Sequence, residues 1–305
     1  MKVVRRQGKG NLSRLCTLSG YSRQAYYKGH VVKEQQAFVG EVIVQKVIAY
    51  RKVQVRIGGR KLLLLLEPFM QQHQLKMGRD AFFTLLRENW LLIGKRRRSK
   101  PKTTYSNHWM RKYPNLAENL RPVCAGGLWV SDITYIDLHD GNGYLSLVTD
   151  AYSRKIVGYH LSEHLCASGP VAALEMAIGG CDDPTGLIHH SDRGAQYCCN
   201  DYVAILQQHQ IGISMTQSGD PRENAVAERV NGILKTEVLK QEVFADIASA
   251  KAAIAEAVET YNYLRPHSSV AMLTPALAHR ARGGLKQCWK NYYKRKSNTM
   301  EIGDG

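Results

Sequence analysis

LWVSDITYIDL, residues 128–138, is the stretch on which the fold turns. β-branched and aromatic residues dominate it, which suits a pleated, half-buried strand. Successive strand side chains face opposite ways, so Val130, Asp132 and Thr134 share one face. An unpaired carboxylate inside an apolar strand is costly to bury. Asp132 therefore calls for a partner such as a metal ion.

The flanking segments extend this strand into a sheet. HDGNG, residues 139–143, carries a hairpin signal. YLSLVTDAYSR (144–154) reads as a second strand and KIVGYHLS (155–162) as a third, with a turn near Ser153. A helix is predicted from about Ser168 to Ile178, then a strand in GLIHHSD (186–192) and a helix in CNDYVAILQQHQ (199–210). A short strand in ISMT (213–216) and a long helix from about Glu223 to Leu239 follow. Three antiparallel strands followed by strands alternating with helices make a mixed α/β sheet. No GxGxxG opens a helix after the first strand, which disfavours a dinucleotide fold.

Two more carboxylates join Asp132. Asp192 follows the fourth strand, and strand C-termini of open α/β sheets commonly hold ligands. If the first and fourth strands are neighbours, Asp132 and Asp192 meet. Glu228 lies on the long helix, on one face with Asn224, Asn231 and Lys235, while Val226, Val230 and Ile233 offer a packing face. Three carboxylates so placed could hold two divalent cations, and hard oxygen ligands favour magnesium or manganese over zinc. Plainer readings exist for each: a backbone-amide acceptor for Asp132, a turn cap before Gly194 for Asp192, an exposed helical residue for Glu228. His189 and His190 point to opposite faces of their strand, so at most one could face a metal. Arg193 and Gln196 follow Asp192 closely and are candidates for contact with a bound phosphate.

Upstream, the chain reads as small and helical. Residues 11–27 suggest two short helices around Gly20, the second capped by Ser22, as in half of a helix-turn-helix. An amphipathic helix is predicted over 34–50, another from Arg60 to Leu66 stopped by Pro68, and a third in GRDAFFTLLRENWLL (78–92) with Phe82, Leu85, Leu86 and Leu92 inward. KRRRSKPKTT (95–104) is a basic run whose Arg96, Arg97, Arg98 and Lys100 could clamp phosphates. The expected units are a helical DNA-binding module over 1–94, a basic linker over 95–120, the catalytic core over 121–245, and a C-terminal helix with basic tail over 246–305.

Charge follows the same division. Residues 1–120 carry 25 Lys and Arg against 6 Asp and Glu, residues 121–260 carry 9 against 18, and residues 261–305 carry 8 against 2. Basic flanks fit phosphate binding and an acidic middle fits a metal centre. The 7 cysteines show neither zinc spacing nor a disulfide framework. No apolar window is long enough to span a bilayer, and no secretory signal is read, so a cytoplasmic, nucleoid-associated protein is expected.

LWVSDITYI, HSDRGAQY and SGDPRENAVAERVNGILKTE, in this order, resemble the catalytic core of bacterial insertion-sequence transposases of the IS3 family, second reading frame, and the related core of retroviral integrases. YRKVQVRIGGRKL, GRDAFFTLLRENWLLIGKRR and YNYLRPHSSVAMLTPA resemble the segments on either side. The resemblance implies an RNase H-like fold and an acidic triad at Asp132, Asp192 and Glu228. Here 59 residues separate the first pair and 35 the second, and the 35-residue gap marks the family. It also implies a DNA-end contact for Lys235, a C-terminal helix closing over the sheet with Arg265, Pro266 and His267 near DNA, and two Mg²⁺ or Mn²⁺ ions per site. The implied activity is 3′-end cleavage and strand transfer, with terminal inverted repeats and target DNA as partners. A homo-oligomer on DNA and a first-reading-frame protein or frameshift fusion are implied as well. Arg222–Glu223 departs from the family's usual aromatic–Asp pair. Two other readings remain at this stage: a catalytically inactive DNA-binding regulator, and a hydrolase of RNA–DNA hybrids.

Overall fold

The computed structural model describes residues 12–94, 108–217, 221–239 and 243–288. They form two compact units, one of residues 12–52 and 58–94, the other of residues 53–57 and those from 108 onward.

The first unit holds four helices: α1 (Leu12–Leu18), α2 (Arg23–Val53), α3 (Gly59–Gln72) and α4 (Arg79–Glu88). Ser22 caps α2, its hydroxyl accepting from the Ala25 amide at 3.0 Å. Ile43, Val47, Leu62, Leu66, Phe82 and Leu86 are its buried core. Three expectations are corrected here. The helix predicted over 34–50 is the second half of α2, which passes Gly29 unbroken; one glycine costs only about 1 kcal/mol in a helix. Pro68 lies inside α3, because the buried stripe Leu62–Leu66–Met70 continues past it. Leu92 is exposed, since α4 ends at Glu88 and Trp90 turns the chain at φ 57°.

The second unit is built on six strands: β1 (Leu128–Leu138), β2 (Gly141–Asp150), β3 (Ile156–Ser162), β4 (Ile188–Ser191), β5 (Gly212–Met215) and β6 (Val243–Phe244). The order is β3-β2-β1-β4-β5, with β6 pairing the far end of β1. β1 and β2 run antiparallel from Trp129↔Asp150 to Leu138↔Gly141, and β3 is antiparallel to β2. β4 and β5 run parallel to β1. This is the RNase H-like arrangement, with β1 at its centre.

Helices cover both faces. On one lie α5 (Ser168–Gly179) and α7 (Asn200–Gln208), burying Trp129, Val148, Leu174, Tyr202 and Leu206. α5 can press onto β3 because position 158 is glycine; a Cβ there would stand 2.0 Å from the Ala173 carbonyl oxygen. On the other lie α8 (Ala225–Ile233) and α9 (Ile247–Glu259), burying Ile136, Leu145, Val230, Ile254 and Tyr261. The helix predicted from Glu223 to Leu239 is three pieces: a 3₁₀ turn (Pro221–Asn224), α8, and a π turn (Leu234–Val238). Asp246 caps α9 through a capping box with Ser249. Two short helices, α6 (Ala195–Cys198) and α10 (Pro275–His279), were not foreseen.

The loop after α9 is packed into the unit. Arg265 is buried, its Nη2 donating to Glu237 Oε2 at 2.6 Å, and His267 is buried. The Arg265–Glu237 pair ties this loop to the π turn. Among the described residues no helix is long and apolar enough to cross a membrane. The cysteines are free thiols.

Candidate active site

The site is set by strand register. β1 and β4 pair as Leu128↔Ile188, Trp129↔His189 and Val130↔His190. Paired residues of parallel strands point the same way, so two residues further on Asp132 and Asp192 come level on one face. α8 packs against that face of β1 and carries Glu228, exposed, beside them.

Asp132 bears the electrostatic cost. Burial raises its pKa to about 7, helped by the negative charges of Asp192 and Glu228. Two hydrogen bonds oppose the rise: Asn231 Nδ2 donates to Oδ2 at 2.8 Å and the Ile133 amide to Oδ1 at 2.9 Å. Asp192 Oδ1 accepts from the Gly194 amide at 3.0 Å, at the turn into α6. Among the described residues no three Asp, Glu, His or Cys side chains close up far enough to form a ready metal shell.

The polar side chains in α8 and the turns on either side of it bond to β1. Asn224 Nδ2 donates to the Ser131 carbonyl at 2.9 Å, Asn231 to Asp132, and Lys235 Nζ to the Tyr135 carbonyl. Asn224 and Asn231 are buried, and burial lowers the pKa of Lys235. Lys235, expected at a DNA end, thus joins the two asparagines in lacing this helical run to β1. Arg193 is half-buried; its carbonyl accepts from His108 Nε2 at 2.8 Å, and its Nε has no partner. Arg96, Arg97, Arg98 and Lys100 lie outside the described residues.

The two histidines do face opposite ways. His189 Nε2 lies 2.7 Å from Ser131 Oγ and 2.9 Å from Tyr202 OH, and burial drives its pKa down to about 3, keeping it neutral. His190 Nδ1 meets Ser214 Oγ at 2.8 Å on the carboxylate face. Sequence reasoning missed the Asn231–Asp132 bond. Its one signal was Asn231 standing three residues after Glu228.

Residues 122–221 match the Integrase core domain model, and residues 209–275 match a second model of the same description. A Shigella sonnei protein, insertion element IS600 uncharacterized 31 kDa protein, is 32% identical over 266 residues, covering 86% of this chain and 96% of that one. The Escherichia coli transposase InsF for insertion sequence IS3A is 36% identical over 148 residues, 48% of this chain and 51% of that one. The Mycobacterium tuberculosis putative transposase for IS986/IS6110 is 35% identical over 150 residues, 47% of this chain and 54% of that one. The matched stretch spans about half of each of these two relatives. The HTLV-2 integrase catalytic core domain in complex with magnesium is similar over 52% of this chain and 100% of that one, at 18% identity and TM-score 0.41. A simian T-cell lymphotropic virus intasome chain is similar over 78% of this chain and 77% of that one, at 16% identity and TM-score 0.46.

Sheet order and domain match define the class, an integrase core of the DDE-type polynucleotidyl transferases. The chain belongs to the IS3 family of insertion-sequence transposases.

Proposed function

We propose that the chain nicks the 3′ ends of its insertion sequence and transfers the freed strand, with Asp132, Asp192 and Glu228 as the catalytic, metal-holding residues. One observation carries the reading: the register that brings Asp132 and Asp192 level under α8, where Glu228 adds a third carboxylate. The donor set is all oxygen, and burial together with the charges of Asp192 and Glu228 disfavours the ionised form of Asp132, a cost that a bound cation would offset. Such a set fits two magnesium or manganese ions. Bound there, the ions would activate the attacking water or 3′-hydroxyl and neutralise the leaving oxygen.

The protein's own part is positioning. Asp132 and Asp192 are carried by paired strands, and Asn231 orients Asp132 through Oδ2. In-line displacement at phosphorus needs placed oxygens and charge neutralisation, not a nucleophilic side chain. Lys235, Asn224, Asn231 and Arg193 border this face. We place the DNA end there, with Lys235 exchanging its Tyr135 carbonyl for a phosphate or base. Arg96, Arg97, Arg98 and Lys100 would hold phosphates further along. The partners on this reading are the terminal inverted repeats, target DNA and further copies of the chain, with a first-reading-frame protein or frameshift fusion as an additional one.

The test is strand cleavage. DNA carrying the element's ends is incubated with the parent and with Asp132→Asn, Asp192→Asn and Glu228→Gln in magnesium, and nicked ends are counted alongside DNA binding. The proposal expects binding to persist and nicking to vanish in all three. A variant that nicks at the parent rate would remove that residue from the mechanism. A parent that binds but never nicks would favour the regulator reading.

A further inference from the structure

A second cavity adjoins the carboxylates. It has a volume of about 660 Å³ and lies on the same face of the sheet, under the N-terminal end of α8. Its floor is Leu128 and Val130 of β1, with Ala151 and Val226 on its walls. Val130 and His190 both line it, and each precedes a carboxylate by two residues, about 7 Å along the strand. The cavity therefore opens beside Asp132 and Asp192 and shares their face.

Two buried polar atoms in its wall have no hydrogen-bond partner: His190 Nε2 and Asn224 Oδ1. Both side chains are more than nine-tenths buried, His190 at 1% and Asn224 at 7% exposure. The backbone of Glu223 approaches the His190 ring without making a full hydrogen bond to Nε2. Buried polar groups are rarely left unsatisfied, so each marks a place for a ligand atom. In the tautomer where Ser214 Oγ accepts from the Leu116 amide at 2.8 Å and donates to His190 Nδ1, the ring proton sits on Nε2 and makes it a donor. Asn224 Oδ1 is an acceptor.

Charge narrows the guest. Arg121 and Arg154 line the cavity together with Glu118 and Glu223, so the walls carry no net charge. Each guanidinium donates to a main-chain carbonyl, Arg121 to Leu120 and Arg154 to Ala151, and two carboxylates balance their charge. The walls therefore present no net positive charge to a phosphate. A flat, neutral guest with an acceptor and a donor on one edge fits, and every nucleobase offers such an edge. Volumes of this order accommodate small-molecule ligands.

We propose that the cavity receives a base extruded from the DNA strand beside the scissile phosphate, its edge meeting His190 Nε2 and Asn224 Oδ1 and its faces resting on Val130 and Val226. The inference rests on the proposed cleavage site lying at Asp132 and Asp192. It gives that site a way to fix which phosphate is presented, by anchoring the neighbouring nucleotide out of the stack. The same chemistry could accept a free nucleotide, but the uncharged walls favour a base whose phosphates are held elsewhere.

The experiment uses the full chain and duplexes bearing the element's terminal sequence, with 2-aminopurine replacing bases one at a time across the cleavage junction and divalent metal withheld. Leaving the stack raises 2-aminopurine emission, and Val130 and Val226 give its faces no aromatic ring to quench it. The expected result is a several-fold rise at one position next to the junction. Ala225→Met, a change at an exposed helical position on the cavity wall, should abolish that rise by filling the space without adding a quencher, while leaving DNA affinity unchanged. Asn224→Leu should reduce it. No rise at any position, or a rise that Ala225→Met leaves intact, would overturn the proposal. So would tight binding of free 2-aminopurine deoxynucleotide, blocked by Ala225→Met, without a DNA signal; the cavity would then be a small-molecule site. Nicking assays separate the two claims. Carboxylate-dependent nicking without extrusion removes only this inference, whereas nicking by Asp132→Asn removes the cleavage site on which it rests.

Discussion

At the scale of single residues, Asp132 is the most heavily loaded group in the site. Its pKa of about 7 lies above the unfolded value of about 3.9. The folded state therefore holds more protons between those values, and stability falls as pH rises through that window. Metal-free protein should be least relieved above pH 7. There Asp132→Asn should raise stability by something on the order of 1–4 kcal/mol, a gain that disappears near pH 4. Thermal denaturation in chelator at both pH values checks this; an equal effect at both would mean the carboxylate is not strained. Asn231→Ala should act in the opposite sense and lower stability above pH 7, because it removes a bond that favours the charged form of Asp132. Lys235→Ala leaves the Tyr135 carbonyl without its donor and should cost about 1–3 kcal/mol. Urea denaturation reads that loss, and an unchanged midpoint would free Lys235 from any structural duty. Asp132 was conspicuous in the sequence because a charge in an apolar strand stands out. The asparagines could not, because Asn224 and Asn231 spend their amides on Ser131 and Asp132, and a polar residue on a helix face looks the same whether it meets solvent or a strand.

At the scale of elements, close approaches of backbone to backbone carry the packing. Gly158 lets α5 lie on β3, so Gly158→Ala must push the helix off the sheet. A loss of about 3 kcal/mol or more is expected, at or beyond the upper end for overpacked cores. Equilibrium unfolding measures it, and a loss under about 1 kcal/mol would show that α5 can shift freely. Arg265 ties the chain after α9 to the π turn through Glu237. Arg265→Met leaves Glu237 without that partner and should destabilise by about 3–5 kcal/mol. Adding Glu237→Gln should recover much of that loss; without recovery, the pair is not what matters at this position. Strands β1 to β5 were legible from alternation and turn residues, since each lies between clear breaks such as HDGNG. The continuity of α2 past Gly29 and of α3 past Pro68 was not. Those helices are held by buried stripes such as Leu62–Leu66–Met70, and tertiary burial outweighs one unfavourable residue. The split of the helix around Glu228 was hidden as well: the run is helical by composition, and the contacts of its two ends, Asn224 and Lys235 with β1 and Glu237 with Arg265, are long-range.

At the scale of the whole molecule, charge is the organising feature, with basic flanks around an acidic core. Neutralising Arg96, Arg97 and Arg98 together should weaken binding to unrelated DNA sequences and flatten its salt dependence, by about 0.9 in log–log slope for each phosphate that the protein no longer neutralises. Titrations at several salt concentrations decide it; an unchanged slope assigns that run to solvent. The mixed sheet and its order could be expected from the succession of strands and helices. The second cavity could not, since Val130, His190 and Asn224 meet only through strand pairing and helix docking. If Asp132, Asp192 and Glu228 together hold the metal at which DNA is cut, an ion bound there should be visible. Anomalous scattering from manganese, in crystals of the chain bound to DNA of its element's ends, locates it. Manganese is expected within ligand distance of Asp132 and Asp192, with Glu228 completing the set. Manganese absent from these carboxylates, in crystals whose DNA end lies on the β1–β4 face, would overturn the proposed cleavage site.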